Sequence, residues 1–263
     1  MKIIRPYANI INLIESRDVI SPLQQIEYAA RISHRSEEMQ TETSAAKFLR
    51  AVVLGRGDWS VVEHVTISVE MMVDRGITHE LVRHRLFSFT QESTRFVNYE
   101  KKYQKGHPQE GQLVMPAKFI YPIVDVECEH CLNGDESMNP DLGIWSHRLN
   151  KKDIPSDIPC VYNGNWLKGI RTSETIYQRL LDQGWRPQEA RSVFPNALAS
   201  KIVMTGNLRN WRHFFLMRTT KEAHPQMRQV TIPLLAEFQQ QVPVLFEDIV
   251  PNERQVVNIA KGR

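Results

Sequence analysis

Arginine is the side chain best suited to gripping phosphate, because its planar guanidinium offers parallel N–H donors and keeps its charge. The segment from Arg83 to Arg95 carries three arginines, Arg83, Arg85 and Arg95, with the titratable His84 between the first two. Interleaved with them are Ser88, Thr90, Gln91, Glu92, Ser93 and Thr94, a dense run of hydroxyl, carboxamide and carboxylate groups. On a helix Arg83 and Arg85 would lie ~200° apart, so they could not close on one phosphate from one face. Such a pair serves two ligands, or one ligand on either side of a helix end. Taken alone, the same residues also describe a solvated basic helix end followed by a polar loop.

A second cluster lies nearer the C-terminus: Arg191, Asn207, Arg209, Arg212, His213 and Arg218. Asn207 and Arg209 open an expected helix, where unpaired backbone N–H groups and the helix dipole favour an anion. Arg218 follows about two and a half turns after Arg209, and Phe214, Phe215 and Met217 offer an apolar side. Arginines in two clusters, hydroxyl-rich loops and no evident carboxylate pair point to phosphorylated or nucleotide ligands. Neither G-x-G-x-x-G nor G-x-x-x-x-G-K-[ST] occurs, which argues against Rossmann and P-loop modes. A dinucleotide would then be held by side chains.

The elements that must position these residues follow from periodicity. Ser21-Pro22 is a helix start, a capping hydroxyl followed by Pro at the first helical position, and predicts a helix over Leu23–Ile32. A second helix is expected over Ser44–Leu54, closing at Gly55-Arg56-Gly57. Val65, Ile67, Val69 and Met71 alternate with Thr66, Ser68 and Glu70, which predicts a half-buried strand broken at Asp74-Arg75-Gly76. Ile77–Arg85 reads as helix, 87–112 as mostly loop, and Val114–Ile120 as a short strand. Residues 122–165, with all three cysteines, show no period and read as an irregular excursion from the core. Helices are expected over Thr172–Gln183, Pro187–Val193, Leu208–Thr219 and Pro225–Gln240, and a strand over Ser200–Thr205. The tail from 251 is polar and expected to fray.

The whole chain bounds the possibilities. Its 263 residues, 41% hydrophobic and 24% charged, are ordinary for a folded protein and long enough for a sizeable core. A net charge of +3 is too small to indicate a nucleic-acid partner. There is no secretory pattern at the start and no apolar run of the ~20 residues a membrane helix needs. Three cysteines do not make a disulfide framework. A cytoplasmic protein with neither membrane nor nucleic-acid partners is the expectation.

Arg83-His84-Arg85, seven residues and then Ser93 resembles the R-H-R-x7-S signature of the flavin-dependent thymidylate synthases. The resemblance extends to Glu63-His64, Ala29-Ala30-Arg31-Ile32-Ser33 and Ala190-Arg191-Ser192-Val193-Phe194-Pro195. It continues through Asn207-Leu208-Arg209, Phe214 to Arg218 and His224-Pro225-Gln226, in the family's order. It implies an α/β fold of the α+β type, with a central mixed or antiparallel sheet flanked by helices. It further implies a single domain over residues 1–250 that assembles as a homotetramer with shared active sites. The implied reaction is methylation of dUMP to dTMP, with methylenetetrahydrofolate as carbon donor, NADPH as reductant and FAD as redox carrier.

Carried over by motif position, Ser60, Arg83, His84, Arg85, Gln91, Asn207, Arg209 and His213 would contact FAD. Glu80, Leu81, Val82, Arg83, Gln91, Glu92, Ser93, Thr94, Arg95, Arg191 and Arg218 would line the dUMP site. Arg218 resembles the arginine that faces the uracil ring and is the expected catalytic residue. The chain departs from the family pattern at Asp58, Thr90, Gln91, Phe96 and His213. Asp58 bears most on the flavin side, since it places an anion where many members carry histidine.

Other motifs are weaker. Pro159-Cys160 echoes the nucleophile of the flavin-free thymidylate synthases without its partners. Cys128-Glu129-His130-Cys131 has zinc-knuckle spacing, which Cys160 with His130 or His147 could complete, but a second C-x-x-C is absent and no metal is expected. Two rival functions stay open at this point: transfer of another one-carbon group, such as hydroxymethyl, to a pyrimidine nucleotide, or a non-catalytic flavin- or RNA-binding relic.

Overall fold

The computed structural model describes residues 2–11, 21–99, 117–121 and 164–251. Their elements run β1 (Lys2–Ile4), β2 (Tyr7–Ile10), α1 (Pro22–Ile32), α2 (Ala45–Leu49), β3 (Thr66–Asp74), α3 (Arg75–Leu81), β4 (Ser88–Gln91), β5 (Lys118–Ile120), α4 (Gly164–Asp182), α5 (Pro187–Ala190), β6 (Ala199–Asn207), α6 (Leu208–Arg218) and α7 (Pro225–Gln241). The α/β content expected from the sequence is present as two sheets, a β1-β5 pair and a four-stranded sheet in the order β2-β3-β6-β4. These residues gather into two compact units, each built from three stretches of chain.

The first unit comprises Met1–Pro6, Met72–His79 and Gln91–Lys201. β1 and β5 pair in parallel, with Ile3 opposite Phe119 and Ile4 opposite Ile120. Helix α4 buries Ile170, Glu174 and Tyr177, an i, i+4, i+7 stripe that faces a core of Tyr99, Phe119 and Leu198. The helix begins earlier than the expected Thr172, at Gly164. Tyr177 stacks on Phe194 with ring centroids 4.4 Å apart.

The second unit comprises Tyr7–Met71, Glu80–Thr90 and Ile202–Arg263. Helix α1 starts as its sequence requires: the Ser21 hydroxyl accepts from the Gln24 N–H, and the Gln24 side chain accepts in return from the Ser21 N–H. The expected helix over Ser44–Leu54 is realised as α2 continued by a wider π turn, Arg50–Gly55. It closes at Gly57, whose φ of +85° is left-handed backbone that only glycine enters without a Cβ clash. Trp211, Phe214, Phe215, Phe238 and Phe246 are fully buried and pack edge to face around helices α6 and α7. The Trp211 indole N–H donates to the Ile67 carbonyl at 3.0 Å, fixing α6 to strand β3.

Two expectations change where they matter most. The helix expected to reach Arg85 stops at Leu81. Beyond it Arg83 N–H donates to the Glu80 carbonyl and His84 N–H to that of Leu81, both i to i−3 bonds that tighten the chain into turns. The ~200° helical separation of Arg83 and Arg85 therefore does not apply. Second, Ser88–Gln91 is a strand rather than loop, with Phe89 and Gln91 on its more covered face. The expected excursion over 122–165 and the polar tail from 251 lie almost wholly outside the described residues, as do Cys128, Cys131 and Cys160.

The turn that carries Arg83 and Arg85 is anchored by Phe87, and Phe87 by a glycine. A Cβ built on Gly206 would sit 2.4 Å from two ring carbons of Phe87, inside van der Waals contact. Gly206→Ala should therefore push the ring out of its slot and cost about 1–3 kcal/mol, the range for overpacking a filled core. Urea unfolding measures this loss, and Phe87→Leu in the same chain should recover part of it.

Candidate functional site

Within the second unit a cavity of about 250 Å³ is lined by Arg83, His84, Arg85, Leu86, Phe87, Asn210, His213, Met217 and Arg218. Helix α6 supplies one wall, presenting Asn210, His213, Met217 and Arg218 at i, i+3, i+7 and i+8, one face of the helix. The turn after α3 supplies the other. It is stitched to α6 by Asn210, whose side chain donates to the Leu86 carbonyl at 3.0 Å.

Arg218 is the most constrained cation there. Its Nε donates to His84 Nε2 at 2.9 Å and its Nη1 to Glu80 Oε2 at 3.0 Å. The Arg218 carbonyl accepts from the Thr231 hydroxyl at 2.8 Å, so the backbone that carries the side chain is tied as well. Nε2 accepts only when it bears no proton, so His84 is neutral with its hydrogen on Nδ1. Its surroundings enforce that state. Burial, then the charges of Arg218 and His213, lower the His84 pKa to about 4. The ring meets Phe214 edge to face at 4.9 Å and Phe87 at 6.3 Å. Arg83 and Arg85 are exposed at the cavity wall and take no ion-pair partner among the described residues.

Other sequence-predicted residues of this unit divide. Asn207 caps α6, accepting from the Asn210 N–H at 2.9 Å, so it satisfies one of the helix-end donors itself. Arg209 pairs with Glu63 at 2.6 Å on the surface, and Ser60 is exposed on the 3-10 turn Trp59–His64 that holds Glu63. Leu81 is fully buried, whereas Val82 is exposed. Arg31, in the Ala29–Ser33 motif, is spent on a buried pair with Glu27 at 2.7 Å and stacks on Phe48. Among the described residues no group of three His, Cys, Asp or Glu side chains is placed to hold a metal ion, and no helix is long and apolar enough to cross a membrane.

The remaining predicted residues lie in the first unit. The Gln91 side chain donates to the hydroxyls of Thr78 at 2.9 Å and Ser200 at 3.1 Å. Arg191 Nη1 donates to the buried Thr94 hydroxyl at 2.6 Å, while its Nε is held by the Gln188 carbonyl. The Glu92 carboxylate accepts from the Tyr99 hydroxyl at 2.6 Å. Ser93 Oγ accepts from the Arg95 N–H, and the Arg95 guanidinium is exposed over the Phe96 ring. Leu86, Phe87 and Asn210 were not singled out by the sequence reading as site residues. Asn210 carried a signal, since it follows the Asn207 cap on the side of the helix that later presents His213 and Met217.

The model of the family described as thymidylate synthase complementing protein matches residues 15–244. The flavin-dependent thymidylate synthase of Corynebacterium efficiens is 33% identical over 242 residues, covering 90% of this chain and 81% of that protein. Its counterpart in Mycobacterium tuberculosis is 29% identical over 241 residues, again covering 90% and 81%. Among solved structures, a UMP/dUMP methylase from Streptomyces cacaoi bound with 5-Br dUMP aligns with a TM-score of 0.62 at 20% identity, covering 94% of this chain and 96% of that one. At that identity the likeness speaks for the fold.

The neutral His84 has a consequence for stability. An unfolded histidine takes up its proton near pH 6.5, whereas His84 in the folded chain resists until about pH 4. Between these values the unfolded chain binds more protons, so folding stability falls as pH drops from about 6.5 towards 4 and rises on return. Urea midpoints measured across that window should show this slope, and His84→Gln should flatten it.

Proposed function

Because the chain belongs to the thymidylate synthase complementing protein family, we propose that it methylates dUMP to dTMP. Methylenetetrahydrofolate would donate the carbon, NADPH the reducing equivalents, and FAD would carry them. The reading includes a cytoplasmic homotetramer with active sites shared between subunits, residues 1–250 acting as one functional domain. Support for sharing comes from the size of the cavity. At about 250 Å³ it is below the roughly 300–1,000 Å³ that encloses a drug-sized ligand, as suits a site that a second subunit completes.

The observation that carries the reading is the clamp on Arg218. A guanidinium held by Glu80 on one nitrogen and neutral His84 on another cannot swing, and its Nη2 is left without a partner among the described residues. Uracil C5 is a poor nucleophile unless charge building on the ring is stabilised. A fixed cation aimed at the ring oxygen and N3 supplies that stabilisation without reorganising during the reaction. His84 keeps the cation oriented because it stays neutral, so it accepts rather than repels.

The residues present fit a flavin. Leu86, Phe87 and Met217 give the cavity an apolar wall, and Arg83, Arg85 and His213 give it donors for phosphate and carbonyl oxygens. Ser60, Asn207 and Arg209 would extend that binding along α6. When bound, flavin supplies the hydride chemistry that no side chain has. For dUMP, Arg191 with Thr94, and Ser93 with Arg95, offer cation and hydroxyl pairs for phosphate. Leu81 and Val82 would contribute backbone groups, and Gln91, whose amide N–H groups are held by Thr78 and Ser200, would meet both ligands through its side-chain oxygen.

Arg218→Ala tests this. Expected is a loss of dUMP binding by calorimetry and at least about 10²-fold in turnover, with the flavin absorbance of the purified protein retained. Normal turnover in that variant would overturn the assignment. Mass spectrometry of the nucleotide product decides the transferred group, thymidylate being the expected mass.

A further inference from the structure

Five consecutive residues, Gln91 to Arg95, were expected from the sequence to line the nucleotide site, yet their side chains do not share one fate. Gln91 is spent on Thr78 and Ser200, and Thr94 is buried against Arg191. Ser93 and Arg95 remain open to a ligand, with Arg95 exposed. Glu92 stands between these groups and is engaged on both carboxylate oxygens. Oε1 accepts from the Tyr99 hydroxyl at 2.6 Å, and Oε2 accepts from the Lys201 N–H at 3.3 Å. The Glu92 N–H donates in turn to the Lys201 carbonyl at 2.8 Å. A reciprocal pair with one residue of the neighbouring strand sets the register of the segment where it leaves β4.

The Tyr99 hydroxyl is a fixed donor. The residue is 3% exposed, inside the core of the first unit. Its own N–H donates to the Tyr177 hydroxyl at 3.3 Å, and its carbonyl accepts from the Gln178 side chain at 2.8 Å, both on helix α4. Its ring packs edge to face on Phe194 and Tyr177. Burial first, and then the bond to Glu92, push the hydroxyl pKa upwards, so it keeps its proton. A carboxylate with its oxygens taken by a buried phenol and a strand amide has little left to offer a nucleotide, which is itself anionic.

We infer that Glu92 is a positioning residue, locked by Tyr99 and Lys201, that sets the Ser93–Arg95 backbone for nucleotide binding without touching the nucleotide. This rests on the dUMP reading above. Electrostatics point the same way: a carboxylate aimed at a phosphate or uracil oxygen would repel it, whereas one turned inward onto Tyr99 does not. Lys201 and Tyr99 thus become part of the machinery at one remove.

The test uses the flavin-loaded protein and three variants, Tyr99→Phe, Glu92→Leu and the double substitution. Tyr99→Phe strands a carboxylate oxygen, so the KM for dUMP should rise several-fold with a smaller change in kcat. Replacing both partners by apolar groups relieves that conflict, so the double variant should bind dUMP no worse than Glu92→Leu alone, a non-additive pair. Additive losses, or a loss with Glu92→Leu but none with Tyr99→Phe, would mean that Glu92 meets the nucleotide directly and would overturn the inference. Amide hydrogen exchange gives a readout independent of substrate. In Tyr99→Phe the Glu92 and Lys201 amides should exchange faster while those in the middle of β3 do not, and unchanged exchange at both would equally overturn it. If the unaltered protein binds no dUMP, the functional reading fails, and the exchange result still decides the role of Tyr99.

Discussion

A histidine that must stay uncharged beside an arginine is the constraint on which the cavity of the second unit depends. Protonated, His84 would present a donor and a positive charge to Arg218 and lose the bond that orients it. The fold avoids this by burying the ring against Phe214 and Phe87, where desolvation disfavours the charged form. Phe87 in turn sits where it does because Gly206 has no Cβ. The dependence runs from a missing methyl group on a strand, through an aromatic ring, to the tautomer of an imidazole and the direction of a guanidinium.

Arginine content alone could not have separated cations that hold the fold from those that await a ligand. Arg31 is consumed by Glu27 in the interior, Arg212 by Asp248 while lying over Trp59, and Arg50 by Glu247. Exposed pairs of the last kind add little stability, but they neutralise charge that would otherwise compete for an anion. Arg83, Arg85 and Arg95 are left exposed without ion-pair partners among the described residues. Arg191 is intermediate, held by a hydroxyl and a carbonyl that leave its charge unneutralised. The partition depends on which carboxylates come near in three dimensions, and local spacing carries that information only for pairs such as Glu27 and Arg31, four residues apart on one helix.

What was legible in the sequence was what local chemistry decides. Ser21-Pro22 started a helix, the alternation from Val65 made a strand, and Asn207 opened α6. The strand Ser88–Gln91 escaped because its covered positions are Phe89 and a glutamine. Gln91 can be covered only since Thr78 and Ser200 accept its donors, and neither partner is near it in sequence. The stop of α3 at Leu81 escaped for a related reason. Nothing in Val82-Arg83-His84-Arg85 breaks a helix; the turn is held from outside, by Asn210 at the Leu86 carbonyl and by Arg218 at His84, both distant in sequence. The motif order pointed to these residues, and tertiary contacts decide which of them are already engaged within the fold.

Helix α6 shows why that division is physical. Its first residues are spent on structure: Asn207 on the Asn210 N–H, and Asn210 on the Leu86 carbonyl. Its last residue is Arg218, whose carbonyl is tied by Thr231 and whose side chain is clamped across the cavity. The turn from Arg83 to Phe87 is therefore fastened to one rigid rod near both of its ends, by Asn210 at Leu86 and by Arg218 at His84. A cavity framed that way keeps its shape before any ligand arrives. A ligand bound there would not spend binding energy on ordering the wall, and it would meet a cation already oriented by Glu80 and His84. An anion-binding site built only from the free N–H groups at the start of α6 would lack this, because Asn207 has already claimed one of those donors. The fold places the Arg218 charge at the far end of the helix, where packing and hydrogen bonds together hold it still.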